Sequence, residues 1–210
     1  MKELIIDIQY FPTLILYKNL YKFSHIVFDQ YESYQKMSFR NRCQLAGAEG
    51  MVELSIPLVG GRGQKTLIRD VRISDRLPWA AQHWKTIVSC YSRSPWFDHY
   101  RDELDGLLRR RFEYLLDWNL ACFEWSVRVL GMKVGVKLTE EWKPEYPPGE
   151  VLDWRGKLRP AGRETGFGTG GDGPVRYRQV FEERTGFLPN LSILDLLFCE
   201  GKKAVGYLQG

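Results

Sequence analysis

Three kinds of hydrophobic spacing succeed one another along the chain. Up to about Leu77 the apolar residues come in short runs or alternate. Leu4-Ile5-Ile6 and Ile26-Val27-Phe28 are runs of strand length. Residues 51–58 alternate, with Val52, Leu54 and Ile56 on one side and Glu53 and Ser55 on the other. Val71 and Ile73 flank Arg72 in the same way, so 51–58 and 67–73 are expected to pair as a hairpin across the loop Gly60-Gly61-Arg62-Gly63. From Pro78 the period becomes three and four. Trp84, Ile87, Val88 and Tyr91 predict a helix over 78–91, and a second is expected over 98–109. Phe112, Leu115, Leu116, Leu120, Phe123, Val127 and Leu130 form one stripe over 112–130, which Gly131 stops.

The stretch 142–177 keeps neither period. It holds Pro144, Pro147, Pro148, Pro160 and Pro174 and a glycine cluster over 166–173, and is expected to be a partly mobile loop or lid. A last helix should begin at Ser192 as N-cap, with Asp195 as the acidic partner of a capping box. Leu191, Leu194, Leu197 and Phe198 should face the core, and Gly201 should end the helix. Strands come before helices instead of alternating with them. That order predicts one α+β domain over 1–210: an N-terminal mixed or antiparallel sheet, a helical layer after it, and a C-terminal helix packed back on the body.

Composition narrows the function classes. At 210 residues the chain has the size of one domain and can bury a core without disulfides or a structural metal. A hydrophobic share of 44% with 27% charged residues excludes a disordered tail, a collagen or a coiled coil. A net charge of +4 is too small to argue for nucleic acid by itself. The most apolar stretch, 4–17, is interrupted by Asp7, Gln9 and Pro12 and is too short to span a bilayer. Glu3 and Asp7 sit where a signal peptide needs a basic region and an apolar core, so a cytoplasmic location is expected. Cys43, Cys90, Cys122 and Cys199 form no CxxC pair, and His25, His83 and His99 no HExxH spacing; neither a metal nor a cofactor is expected. Gly166, Gly168 and Gly171 satisfy GxGxxG but lack the strand before and the helix after. Residues 60–66 resemble a P-loop with Gln64 in place of its last glycine. Both read as loops.

The candidate chemistry concentrates in 32–42, where Glu32, Tyr34, Lys36, Arg40, Asn41 and Arg42 crowd together. Arg40 and Arg42 are two apart and would share a face in a strand, as a clamp for phosphate or carboxylate. The same residues would also suit a solvated edge strand with paired charges. His83, in a helix rich in aromatics, reads either as a hydrogen-bonded core histidine or as a general base. Arg109-Arg110-Arg111, inside a helix, would point in three directions and form no single patch.

Several of these motifs occur together in a recognisable order. They are Gln9-Tyr10-Phe11-Pro12, Glu32-x-Tyr34-x-Lys36, Arg40-Asn41-Arg42-Cys43, Leu54-Ser55-Ile56-Pro57, Trp79-x-x-x-His83-Trp84, Tyr91-Ser92-Arg93-Ser94-Pro95-Trp96-Phe97, and the run from Asn190 to Phe198. The set resembles the WbqC-like protein family, in its Bacteroidetes form, over nearly the whole chain. The resemblance implies a role in bacterial surface-polysaccharide, O-antigen-type biosynthesis, with acyl or aminoacyl transfer to a nucleotide-linked amino sugar as the activity. On that reading His83 or Glu32 is the base, Asn41 donates to the developing oxyanion, and Lys36, Arg40 and Arg42 neutralise the diphosphate. Tyr34 and Tyr91 line the substrate, and Cys43 could carry the acyl group if flanking cations lower its pKa. The small-molecule nucleotide sugar is then the partner. The alternative class is a non-catalytic binding module for a glycan intermediate, with Trp96 and Trp154 exposed to stack on sugar rings, or for RNA.

Overall fold

The computed structural model describes residues 3–23, 25–61, 63–147, 149, 151–160 and 173–210. The two apolar runs near the N-terminus become strands because both their faces are covered. Glu3–Ile6 (β1) and His25–Phe28 (β2) lie parallel, with Leu4 opposite Ile26 and Ile6 opposite Phe28, and the helix Leu14–Leu20 (α1) crosses between them. Continuous apolar runs without alternation are what such strands require.

The chain then forms a separate antiparallel hairpin, Arg42–Gly47 (β3) and Gly50–Ser55 (β4). The alternation read in 51–58 is present: Leu54 is buried while Met51, Glu53 and Ser55 are exposed. Its expected partner is corrected. β4 pairs with β3, and 67–73 contributes only the isolated bridge Leu58–Ile73 and a 3-10 turn over Ile68–Asp70. The tight turn between Gly47 and Gly50 explains the difference. Gly50 has φ 116°, and a Cβ on Gly47 would meet the Val52 side chain at 2.4 Å, so the glycines that end β3 and begin β4 set a nearer hairpin than the loop at 60–63.

Three helices follow: Trp79–Tyr91 (α2), Phe97–Leu108 (α3) and Leu115–Val129 (α4). Their buried faces match the expected stripes only in part: on α4 Leu115, Leu116 and Phe123 are buried as expected, but Trp118, Cys122 and Trp125 join them, while Leu120 and Val127 are half-buried. Gly131 stops α4 at φ 64°.

Two further strands lie beyond the helices. Gly135–Leu138 (β5) pairs parallel with β2, and Val151–Asp153 (β6) pairs parallel with β1, giving the order β5-β2-β1-β6. The described residues therefore carry parallel and antiparallel pairing in two sheets, with helices packed on one core, an α+β architecture. β5 and β6 are short edge strands whose Val136, Leu138 and Leu152 are 38%, 36% and 40% exposed, so no buried run marks them in the sequence. Part of 142–177 is thus structural: besides β6, Trp154, Leu158, Val175 and Tyr177 are buried in the core. The glycine cluster lies largely in 161–172, outside the described residues.

After a short helix Glu182–Thr185 (α5), the helix Ile193–Glu200 (α6) starts at Ser192, whose Oγ accepts from the Leu194 amide at 3.3 Å, and Gly201 ends it at φ 56°. The helix returns to the body through Ile193 N to Pro12 O and Ser192 N to Gln44 O, and Ala204–Gln209 (α7) closes against α1 and α6. The capping box does not form. The Ser192 amide goes to Gln44, and Asp195 points into the core.

Candidate functional site at the carboxyl end of the parallel sheet

The register of the four parallel strands gathers polar residues at one edge. Ile6 is level with Phe28 and Phe28 with Leu138, so the next residues, Asp7, Asp29 and Thr139, leave the sheet side by side. Ile5 is level with Asp153, which places Arg155 beside Asp7. Successive residues of a strand alternate faces, so Asp7, Asp29, Thr139, Asp153 and Arg155 share one face. Leu4, Ile6, Ile26 and Phe28 lie on the other, in the core. The strand order changes direction at β1. The crevice at the carboxyl ends of parallel strands, at such a reversal, is where open sheets of this kind bind ligands.

The loop between β2 and β3 supplies the rest. Arg40 donates from Nε to Glu32 Oε1 at 2.6 Å and from Nη2 to Oε2 at 2.5 Å, and its Nη1 lies 3.6 Å from Asp7 Oδ2. Arg155 donates to Asp29 Oδ2 at 2.7 Å and to Asp153 Oδ2 at 2.6 Å, and lies over the Tyr146 ring. Thr139 donates to Asp29 Oδ1 at 3.1 Å, and the Gly156 amide to Asp7 Oδ1 at 2.6 Å. Asp7, Asp29, Glu32 and Arg40 are all buried. Asp7 Oδ2 and Gln9 Nε2 have no hydrogen-bond partner among the described residues.

The charge balance sets the chemistry. Four carboxylates (Asp7, Asp29, Glu32 and Asp153) face two guanidiniums (Arg40 and Arg155). Burial pushes Glu32 up to about 7; Arg40 opposes the rise, and Asp7 and Asp29 add to it. A carboxyl held near neutrality among fixed charges can both take and give a proton. An excess of buried negative charge also favours a cationic ligand group. Groups of three or more potential metal ligands in metal-binding geometry are absent among the described residues.

The residues singled out within 32–42 fall in four places. Glu32 and Arg40 enter this cluster; Arg40 lies in the turn before β3, so it shares no strand face with Arg42. Lys36 is exposed on the same loop, one residue after Gln35, which accepts from Arg159 at 3.3 Å. Arg42 opens β3 and pairs with Glu53 across the hairpin. Tyr34 and Asn41 form a buried lock: Tyr34 donates to Asn41 Oδ1 at 2.9 Å, and Asn41 Nδ2 donates to the Ile56 carbonyl at 2.9 Å.

His83 is packed away from the carboxylates. Its Nδ1 meets the Tyr10 hydroxyl at 3.0 Å, the ring also hydrogen-bonds the Ser55 backbone, and Trp79 lies edge-on against it. Burial pulls its pKa down to about 4. Burial also raises the Tyr10 hydroxyl well above its usual value, so the phenol is the donor and the neutral imidazole the acceptor. Tyr91 is fully buried and donates to Asp195 Oδ1 at 2.5 Å; Tyr177 donates to Oδ2 at the same distance.

Three expectations are corrected. Cys43 is buried and its thiol is raised by desolvation, so no cation activates it as an acyl carrier. Trp154 is buried near the Phe23 ring, and Trp96 is half-buried with Gly201 against its indole, so neither is an exposed sugar platform. Residues 109–111 lie past the end of α3, so their side chains need not splay around a helix. Asp7, Asp29, Thr139, Asp153 and Arg155 were not found from sequence. The signal was there in part, as a polar residue directly after each apolar run.

This geometry defines an α+β protein with a buried acid–base cluster at the carboxyl end of a parallel sheet. The chain belongs to the WbqC-like protein family, whose model matches residues 8–154. It is similar to the uncharacterized protein Rv1507c of Mycobacterium tuberculosis, 27% identical over 88% of this chain and 87% of that protein. No solved structure gives a significant match. Among the described residues no helix is long and apolar enough to cross a membrane.

Proposed function

We propose that this protein is a transferase of bacterial surface-polysaccharide, O-antigen-type biosynthesis that acylates or aminoacylates the amine of a nucleotide-linked amino sugar. The observation that carries the reading is the imbalance of four carboxylates against two guanidiniums at the sheet end, with Asp7 Oδ2 free to accept among the described residues. A protonated amine complements that charge. Glu32 takes one ammonium proton, the amine nitrogen forms a bond to the acyl carbon, and as the bond between the acyl carbon and its donor breaks the second nitrogen proton goes to the departing donor group, which leaves as a free thiol or its equivalent. Arg40 and Asp7 orient Glu32. Lys36 and Arg159, at the rim, meet the diphosphate. His83 acts through Tyr10, whose amide donates to the Phe39 carbonyl beside Arg40.

The test is product formation. The purified protein is incubated with a UDP-linked amino sugar and acyl-coenzyme A or an activated aminoacyl donor, and the sugar is weighed by mass spectrometry. Acylated sugar is expected. Glu32→Gln should cut turnover by about 100-fold or more, and Lys36→Ala, at an exposed position, should raise KM with the fold intact. Binding of the sugar without product would make the protein a binding module. If the sugar is neither bound nor acylated, the reading is overturned.

A further inference from the structure

A separate cleft lies between the N-terminal end of α2 and the chain leaving α3. Its volume is about 630 Å³, within the range of small-molecule sites. Its lining is part apolar, from Leu77, Trp79, Trp84 and Phe112, and part cationic, from Arg76, Lys85, Arg109, Arg110 and Arg111, with the two carboxylates Asp75 and Asp105 among them.

Three features make this more than a solvated surface. Arg109 caps α3 with its backbone still helical, Arg110 and Arg111 lie beyond the helix, and all three line one cleft. Only Arg109 is paired, with Asp105 at 2.8 Å; Arg76, Lys85, Arg110 and Arg111 have no carboxylate partner among the described residues. Pro78 caps α2 without a side-chain hydrogen bond, so the first-turn amides of Ala80 and Ala81 have no acceptor from the cap, and both residues line the cleft. The apolar wall is rigid. Trp79 and Phe112 both stand edge-on against the buried Trp118, and Arg110 lies over the Phe112 ring at 5.0 Å.

We propose that this cleft binds a nucleoside diphosphate, its flat base against the tryptophan wall and its phosphates among the unpaired cations and the α2 amides. Several converging cations suit a ligand with more than one negative charge, and the aromatic wall suits a ring in place of a bare inorganic anion. The proposal goes beyond the carboxylate cluster and does not depend on it.

The experiment is calorimetric titration of the full chain with ADP and UDP, and in parallel with inorganic pyrophosphate and a short single-stranded RNA. Saturable binding of at least one nucleotide that persists in Lys36→Ala is expected, with pyrophosphate weaker. The double variant Lys85→Glu, Arg111→Glu should weaken the nucleotide by about tenfold or more. Its Tm should stay unchanged, because both side chains are exposed. Absence of saturable nucleotide binding, or equal affinity in the double variant, would overturn the proposal. Pyrophosphate binding as tightly as nucleotide would remove the role of the aromatic wall and overturn the assignment to a nucleotide. RNA binding more tightly than either nucleotide, and weakening steeply between about 50 and 200 mM salt, would replace the site with a nucleic-acid surface. Binding is read without turnover. A negative result here leaves the transferase reading standing, and failure of transfer leaves this result untouched.

Discussion

Arg40 grips Glu32 through both carboxylate oxygens while its third nitrogen lies 3.6 Å from Asp7, and all three side chains are buried. A guanidinium so placed is bound to the fold, and removing it strands two carboxylates in a low-dielectric interior. Arg40→Met should therefore destabilise the protein by about 3–5 kcal/mol. Arg72→Ala, which breaks the exposed pair with Glu113, should cost under about 1 kcal/mol. Chemical denaturation of the two variants checks this; similar midpoints would mean that Arg40 is not the keystone of the cluster.

His83 gives a pH signature of its own. Its folded pKa of about 4 lies below the ordinary 6.5, so the native state binds fewer protons than the unfolded chain between these values. Stability from this group is full above pH 6.5 and is lost as pH falls toward 4, by up to about 3 kcal/mol. The imidazole Cε1 proton followed by NMR should titrate near 4, and a midpoint near 6.5 would contradict the buried hydrogen bond to Tyr10.

The Tyr91–Asp195–Tyr177 cluster should prove structural. Asp195 is raised by burial and accepts from both phenols, while the Tyr91 oxygen also accepts from the Ala46 amide at 3.0 Å. Tyr91→Phe leaves the Ala46 amide and one carboxylate oxygen short of a partner and should cost about 1–3 kcal/mol in thermal unfolding. An unchanged Tm would show that water replaces the hydroxyl.

Two glycines should respond in opposite directions. Gly201 has φ 56°, and a Cβ there would sit 2.2 Å from the Trp96 ring, so Gly201→Ala should destabilise by about 2 kcal/mol or more. Gly106 lies within α3 with nothing near its Cβ position, so Gly106→Ala should stabilise by about 0.5–1 kcal/mol. Tm shifts of the same sign would contradict the geometry at one of the two.

What the sequence made legible follows from range. The 3.6 period of 112–130 and the Ser192 cap act within a few residues and survive in α4 and α6. Glu32 and Arg40 were legible as a polar cluster because they are eight residues apart. Asp7, Asp29 and Arg155 were not, because only parallel pairing of β1 with β2 and β6 brings them level, across up to 149 residues between Asp7 and Gly156. Arg40 read as a free cation for the same reason: its distant neighbour Asp7 was invisible. Likewise the arginine run at 109–111 changed meaning once α3 ended at Leu108.

The central claim is that Glu32 is held near neutrality by its burial and by the neighbouring carboxylates. The most direct measurement is a 13C NMR titration of the glutamate side-chain carboxyls, with Glu32 assigned by its absence in Glu32→Gln. A midpoint near 7 is expected, and it should fall in Asp7→Asn, which removes one of the charges that raise it. A midpoint at or below the ordinary 4.5, unmoved by Asp7→Asn, would contradict the account and leave the cluster a set of structural ion pairs.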